Sequence, residues 1–229
     1  MIAIRPQIIK NHASGNFQAM HIQIIKSGKF GFFIMLLILL PLCGNIDYVL
    51  GLWLVDVPAH TANFVVLVLL YSLLDGILTP IAIGVFAQGE IKAYEIALCI
   101  IYAVNFIASY VCLKLGMAPE TVFVLNIAFK ACVLADLLVH SKAKYAFPVH
   151  AFLKQCLLPS AVVFVLSGAF TYFMPWEAPN SFWEFLLHTL AIIICTSLMA
   201  LAIGMTKGER LFLKKNLRDK ITVKLYRKI

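Results

Sequence analysis

The sequence predicts an all-α integral membrane protein, a bundle of six transmembrane helices with both termini in the cytoplasm. Of its 229 residues, 62% are hydrophobic and 13% are charged, whereas a soluble domain is about half apolar and about a quarter charged. The mean hydropathy is +0.92. Six apolar runs each approach the roughly 20 residues that a helix needs to cross the hydrocarbon core. This composition excludes an ordinary soluble domain, a disordered chain and a disulfide scaffold.

The six runs define the predicted spans in chain order. They cover residues 30–46, 62–86, 94–114, 119–140, 155–174 and 183–205. Short linkers join them, as in an antiparallel bundle. The predicted organisation is therefore a cytoplasmic amphipathic segment at 1–29, four transmembrane helices at 30–140, two further transmembrane helices at 141–205 and a basic amphipathic cytoplasmic tail at 206–229.

Charge and tryptophan placement predict the orientation. Seventeen of the 19 basic residues fall in the N-terminal segment, the second-to-third and fourth-to-fifth loops, or the tail. Because cytoplasmic loops carry an excess of Lys and Arg, both termini are predicted to be cytoplasmic. Trp53, Trp176 and Trp183 fall at the opposite face, where aromatic side chains anchor at the interface.

The segment before the first span has an apolar face formed by Phe17, Met20, Ile24 and Ile25. This amphipathic pattern predicts a helix that runs along the membrane before the chain turns inward. The alternative is a simple helical extension of the first span. The segment lacks the apolar stretch and cleavage site of a secretory signal.

The tail is the second amphipathic piece and carries nine basic and two acidic residues. Thr206 and Glu209 have the spacing of a capping box, and leucines and isoleucines then recur every four residues. This pattern predicts a basic helix on the inner leaflet, held by anionic lipid at about 1 kcal/mol for each basic residue. The predicted surface contacts are Lys214, Lys215, Arg218 and Lys220. Nucleic acid is the alternative partner, but a basic tail is already expected on the inner face, so no nucleic acid is predicted.

Polar residues inside the spans are the candidates for a working site, because ionisable groups are costly in a bilayer and face a bundle interior or a wet cavity. Asp75 and Lys130 are predicted to line a polar interior surface, as an ion pair between helices. Asn105 and Asn126 are further candidates for a substrate or ion path. The alternative for all four is a structural polar bridge.

The sequence carries no nucleophile elbow, zinc-ligand spacing or phosphate-binding glycine loop, so neither an enzyme nor a cofactor is predicted. Its six cysteines lie within or beside spans, where cysteine behaves as a small hydrophobe.

Five short segments resemble, in order and spacing, motifs of one transporter family. They are Arg5-Pro6-Gln7-Ile8 with Gly15-Asn16, Leu52-Trp53-Leu54 with Val57-Pro58, Ala87 to Lys92 with Tyr94, Ala118-Pro119-Glu120 with Val122-Phe123, and Thr206 to Arg210 with Phe212-Leu213. Together they resemble the C-terminal part of the polysaccharide-transport flippases. These O-antigen and capsule repeat-unit flippases belong to the multidrug/oligosaccharidyl-lipid/polysaccharide exporter superfamily.

The resemblance implies a fourteen-helix fold with two lobes around an alternating-access cavity. It implies transport of an undecaprenyl-diphosphate-linked oligosaccharide across the bacterial inner membrane for surface polysaccharide or lipopolysaccharide assembly. The six spans correspond to the last four helices of the second lobe and an extra C-terminal pair. The first lobe has no counterpart in this chain, so a truncated or mis-started gene is expected, or a separate first-lobe polypeptide as partner. Polysaccharide assembly proteins are further candidate partners.

Two other functions remain open from the sequence. One is a multidrug or cation antiporter of the same superfamily, although the extra helix pair and the basic tail favour the polysaccharide branch. The other is a non-transporting membrane partner protein. Transport needs a wet polar path, so the accessibility of the polar positions separates the transporters from the partner.

Overall fold

The computed structural model describes residues 4–89, 91–173, 179, 181–206 and 208–211. All of the regular secondary structure in the described part of the chain is helical. Its helices are α1 (Arg5–Ala13), α2 (Phe17–Gly44), α3 (Ile46–Trp53), α4 (Thr61–Phe86), α5 (Lys92–Lys114), α6 (Thr121–Tyr145), α7 (Val149–Phe152), α8 (Leu158–Phe173) and α9 (Phe182–Met199). A π-helical turn, Leu153–Leu157, joins α7 to α8, and a second, Ala200–Gly204, continues α9.

Among the described residues, six helical segments are long and apolar enough to cross a membrane, which confirms the predicted number of spans and the multi-pass class. They are Phe17–Gly44, Thr61–Phe86, Lys92–Lys114, Thr121–Tyr145, Val149–Phe173 and Phe182–Gly204. Their bounds match the predicted spans within a few residues except at the first, which begins well before residue 30, and the fifth, which begins six residues early. Glycines with positive φ at 15, 89 and 116 follow three of the helices, because the left-handed turn after a helix favours glycine.

Cross-helix contacts define two ends of the bundle. At the basic end, which carries Lys26, Lys92 and Lys144, the last residue of α6 accepts a hydrogen bond from His21 of α2. At the tryptophan end, which carries Trp53 and Trp183, Tyr48 of α3 stacks on Phe185 of α9 with ring centroids 5.1 Å apart. The spans therefore alternate in direction, as the short linkers predict.

The central helix is α2, and the outermost is α5. Half of the span of α2 is buried, against 11% of the span of α5. Close backbone approach lets α2 cross α4: a Cβ at Gly76 would lie 3.2 Å from the backbone of Gly31 and Phe32. Small residues at such crossings are typical of helices packed in membranes, where packing replaces the hydrophobic effect between helices.

The prediction of a separate membrane-parallel segment at the N-terminus is wrong. α2 is one helix from Phe17 to Gly44, so the chain does not turn before residue 30 and the helical extension describes it. Three of the four residues of its predicted lipid-facing side are instead core: Met20 and Ile24 are fully buried and Ile25 is 6% exposed, whereas Phe17 is 43% exposed. The physical reason is that α1, α4 and the end of α6 cover this face, so its apolar side chains pack on protein.

Two of the three tryptophans expected at the membrane interface lie exposed at one end of the bundle. Trp53 and Trp183 are 81% and 70% exposed at the same end, which is the arrangement of an aromatic belt. Trp176 lies outside the described residues, as do Lys214, Lys215, Arg218 and Lys220, the predicted lipid contacts of the tail.

Candidate functional site

An ion pair between α4 and α6 forms the centre of the candidate site. The Lys130 ammonium donates a hydrogen bond to Oδ1 of Asp75 at 2.5 Å. Each residue lies well inside its span, and the two charges offset part of the cost that either would have alone in a bilayer. The structure therefore brings together the two ionisable residues that the sequence selects, on neighbouring helices.

The two charges of the pair differ in their exposure. The Lys130 side chain is 7% exposed, whereas the Asp75 side chain is 43% exposed. The Lys130 ammonium also lies 4.1 Å from the centre of the Tyr71 ring, a cation–π distance. The cation is thus enclosed by protein, and the carboxylate is the half of the pair that other molecules can reach.

Asp75 opens into a groove between α2 and α4 with a volume of about 300 Å³. Ser27, Ser72 and Thr79 line the groove beside it. Each of these hydroxyls donates to a backbone carbonyl four residues earlier in its own helix, at 2.6 to 2.9 Å. The rest of the lining is mostly apolar, so the groove carries one strip of hydroxyl oxygens beside the Asp75 carboxylate, next to Ile4, Phe30, Ile34 and Met35.

The two candidate asparagines lie apart from this groove, between α5 and α6. Asn105 donates a hydrogen bond through Nδ2 to Oδ1 of Asn126, and Ser109 donates to Asn105 at 3.5 Å. Asn105 is only 6% exposed. This geometry suits the alternative of a structural bridge, since the two amides satisfy each other. Their place in a transport path stays a prediction.

A second buried ion pair, at the basic end, was missed by sequence reasoning. The Lys29 ammonium lies 2.6 Å from Oε2 of Glu209, and the two side chains are 1% and 9% exposed. The same carboxylate accepts a hydrogen bond from the backbone N–H of Thr206 at 2.8 Å, and the Thr206 hydroxyl accepts one from the Glu209 N–H at 3.4 Å. The capping box expected from Thr206 and Glu209 is therefore confirmed, and it anchors the start of the tail to α2.

The charge state of Glu209 follows from these contacts. Burial alone would raise the pKa of its carboxyl. Hydrogen bonds from the Lys29 ammonium and from the Thr206 backbone outweigh burial, and the pKa lies below its ordinary value. Arg210 donates to the carbonyls of Ala202 and Met205 at 2.5 and 3.1 Å, so the end of the α9 segment is capped by the same short stretch.

A polar contact also joins two loops at the tryptophan end. Asn63 donates to Oε1 of Glu120 at 3.1 Å, and the His60 ring lies in hydrogen-bond contact with the same oxygen. The hydrogen bond from Asn63, with those from the Glu120 backbone and from His60, lowers the pKa of Glu120. Glu120 belongs to one of the resembling motifs, and His60 and Asn63 follow shortly after Pro58, the end of another, so the contact joins the loops that carry these two motifs.

One further carboxylate within the spans has a local partner. Asp136 pairs with His140 at 3.1 Å one helical turn away. Within the described ranges, no group of three or more His, Cys, Asp and Glu side chains converges as metal ligands would.

Comparison with known proteins adds no relative. A scan against protein-family models, a search of curated proteins and a search of solved structures each found no match to this chain.

Proposed function

We propose that this chain is part of a transporter that moves lipid-linked oligosaccharide repeat units across the bacterial inner membrane. In this proposal both termini are cytoplasmic and the basic end faces the inner leaflet. The observation that carries it is the half-exposed Asp75 carboxylate beside three hydroxyls in a groove within the spans. Lys130 contacts Oδ1 of this carboxylate, and its exposed part requires water, a polar substrate or a further protein partner beside it.

The buried cation gives the groove its chemical character. Lys130 holds Asp75 in place and leaves the groove with a fixed polar strip that can exchange hydrogen bonds with a passing solute. Hydroxyls and carboxylates are the groups that hydrogen-bond sugar hydroxyls. The resemblance of five segments to the polysaccharide flippases supports the substrate class, an undecaprenyl-diphosphate-linked oligosaccharide.

One partial lobe does not enclose an alternating-access cavity, because transport of this kind needs an opposing wall. The exposed groove between α2 and α4 supplies one polar wall of such a path. The proposal therefore includes a second wall, contributed by further polypeptide of the same assembly. Anionic lipid at the inner leaflet is the proposed partner of the tail.

A cation or drug antiporter is the second candidate function, and the Asp75–Lys130 pair favours it directly. A carboxylate paired with an amine can exchange a proton or a cation for a substrate as its partner is displaced. The two transport functions share the groove and differ in what passes along it.

The test measures translocation in proteoliposomes reconstituted from bacterial membranes, so that the full chain is present together with the rest of its assembly. A fluorescent short-chain polyprenyl-diphosphate oligosaccharide, confined to one leaflet, reports flipping through its protection from a membrane-impermeant quencher. We expect Asp75→Asn and Lys130→Met to slow flipping at least about tenfold. Asp136→Asn is the matched control, because that carboxylate pairs with His140 within α6 and does not line the groove.

Two outcomes contradict the proposal. Flipping no faster than in protein-free vesicles, together with proton-coupled efflux of a cationic dye, would identify the antiporter instead. The absence of both activities would place the chain in the third class, a non-transporting membrane partner.

A further inference from the structure

A second cleft, of about 410 Å³, lies at the tryptophan end between α2, α8 and α9. Asn45, Thr171, Tyr172 and His188 line it with polar groups, beside Gly44 and Gly168. It shares no lining residue with the Asp75 groove, so the proposed transport function makes no use of it. Its volume falls within the range of about 300–1,000 Å³ that is typical of small-molecule sites.

The cleft lies where the chain breaks between two helices. Asn45 separates α2 from α3 and is 3% exposed. Its Nδ2 donates to the carbonyl oxygen of Pro41 at 3.0 Å, whereas its Oδ1 has no hydrogen-bond partner among the described residues. A buried acceptor left unpaired costs about 1–3 kcal/mol. A hydrogen-bond donor brought into the cleft would recover that free energy.

The groups around the cleft favour a cation. α2 ends at Gly44, and the carbonyl oxygens of its last turn have no amide partners further along that helix, although Asn45 Nδ2 already bonds that of Pro41. Its described lining includes no Lys, Arg, Asp or Glu. The ring of Tyr172 is 83% exposed and offers an aromatic face of the kind that attracts ammonium groups. The cleft therefore offers hydrogen-bond acceptors and an aromatic face, and its described lining offers no fixed cation for an anion.

The surroundings of the cleft are those of a lipid interface. Phe173, Phe182 and Trp183 are 78%, 57% and 70% exposed at the ends of α8 and α9. Exposed aromatic side chains at the end of a span lie at the depth of lipid head groups. The head group of a membrane lipid at this depth can therefore reach the cleft.

We propose that this cleft binds the primary ammonium of a membrane phospholipid, a head group of the ethanolamine type. The ammonium donates to acceptors at Asn45 and at the end of α2 and lies near the face of Tyr172. The phosphate stays at the mouth, among solvent and interfacial side chains. This site is independent of the proposed transport function, and either can fail without the other.

A larger side chain at Gly168 would block the cleft. It lines the cleft, and a Cβ built on it meets no atom within 4 Å. A leucine there enters open space and occupies the volume that the head group needs. Gly51 of α3 also has nothing within 4 Å of a built Cβ and does not line the cleft, so Gly51→Leu is the matched control.

The experiment is a lipid titration of the full chain in detergent, followed by native mass spectrometry. Phosphatidylethanolamine is compared with phosphatidylcholine, which has the same net charge and no N–H donor, and with phosphatidylglycerol, which has hydroxyl donors and a negative charge. We expect phosphatidylethanolamine to bind at least tenfold more tightly than either. Gly168→Leu should weaken that binding at least tenfold, and Gly51→Leu should leave it unchanged.

Several results would overturn the proposal. Equal binding of the ethanolamine and choline lipids would show that the N–H donors are not recognised. Preference for phosphatidylglycerol would show that the cleft recognises hydroxyl groups instead. Displacement of the lipid by equimolar soluble phosphoethanolamine would assign it to a soluble amine. Unchanged binding to Gly168→Leu would place the lipid elsewhere. Where that variant does not fold, Tyr172→Leu, at a largely exposed position, replaces it with the same expected loss.

Discussion

The ion pair between Lys29 and Glu209 allows a quantitative prediction about how the tail is held to the bundle. Glu209→Gln removes one charge and keeps an amide oxygen that can still accept the Thr206 N–H. Lys29→Met removes the other charge and keeps most of the side-chain volume. Because each variant leaves one buried charge without its partner, we expect each to lower the free energy of unfolding by about 3–5 kcal/mol.

The magnitude follows from the distance and the burial. Two unit charges 2.6 Å apart attract by about 6 kcal/mol at an effective dielectric constant of about 20. Desolvation of the two groups offsets several kcal/mol of that attraction. The double variant contains neither charge, so its loss should be smaller than the sum of the single losses by about 2–3 kcal/mol, which is the upper part of the range for coupled neighbours.

Reversible unfolding of the full chain in mixed micelles, followed by circular dichroism, measures these free energies. Lys26→Met is the control, since Lys26 is exposed on the same helix three residues away, and we expect a change within about 0.5 kcal/mol. Additive single losses, or single losses no larger than that of the control, would refute the reasoning about the buried pair.

The same pair predicts a dependence on pH. Because the pKa of Glu209 is lower in the folded chain than its ordinary value, its stabilisation is present above about pH 4.3 and is lost as the pH falls through the folded pKa. Glu209→Gln should remove this part of the acid sensitivity. An unchanged pH profile in that variant would contradict it.

Three further predictions follow from other contacts. Gly76→Ala should lower the free energy of unfolding by about 1–3 kcal/mol, because its Cβ meets the α2 backbone at 3.2 Å, whereas Gly51→Ala should not; equal effects in chemical unfolding would contradict the close crossing. Asn126→Leu should destabilise by about 0.6–1.7 kcal/mol, measured in the same way, because it leaves the Asn105 amide unpaired; no loss would contradict the bridge. Since the pKa of Glu120 is lowered, its contact with His60 should persist to below the ordinary glutamate pKa of about 4.3. Thermal melts of Glu120→Gln should lack the acid-induced loss seen in the parent chain; identical melts would contradict it.

Hydropathy was sufficient to predict the spans, because crossing a bilayer imposes a length and an apolar composition on each helix independently of its neighbours. It was not sufficient for the segment before residue 30. The apolar face of Met20 and Ile24 would suit lipid or protein equally well, and only the packing of α1 and α4 shows that it is buried in protein. Local amphipathicity does not contain that information.

The candidate site also contains one pair that the sequence could predict and one that it could not. Asp75 and Lys130 could be paired from the sequence because each is costly in a bilayer and few partners of opposite charge lie in other spans. The partnership of Lys29 with Glu209 could not, since 180 residues separate them and each resembles an ordinary interfacial charge. The capping-box spacing was the available signal that Glu209 has a structural role, and it identified only the local half of its contacts.

The exposure of Asp75 within the spans was not predictable either. The sequence places a carboxylate on α4, but whether it faces lysine, lipid or a groove depends on the rotation of α4 against α2 and α6. The backbone contact at Gly76 helps to set that rotation, and it leaves Ser72 and Thr79 lining the groove with Asp75.

The most direct test of the central claim, that this groove is a water-accessible polar path, is cysteine labelling in native membranes. In a variant without the six native cysteines, Ser72→Cys and Thr79→Cys sample the groove, and Val104→Cys samples the exposed apolar face of α5. The account predicts that a membrane-impermeant maleimide labels the first two at least tenfold faster than the third. Labelling of all three at the same slow rate would show that the groove is dry or filled by lipid, and it would contradict the proposed path.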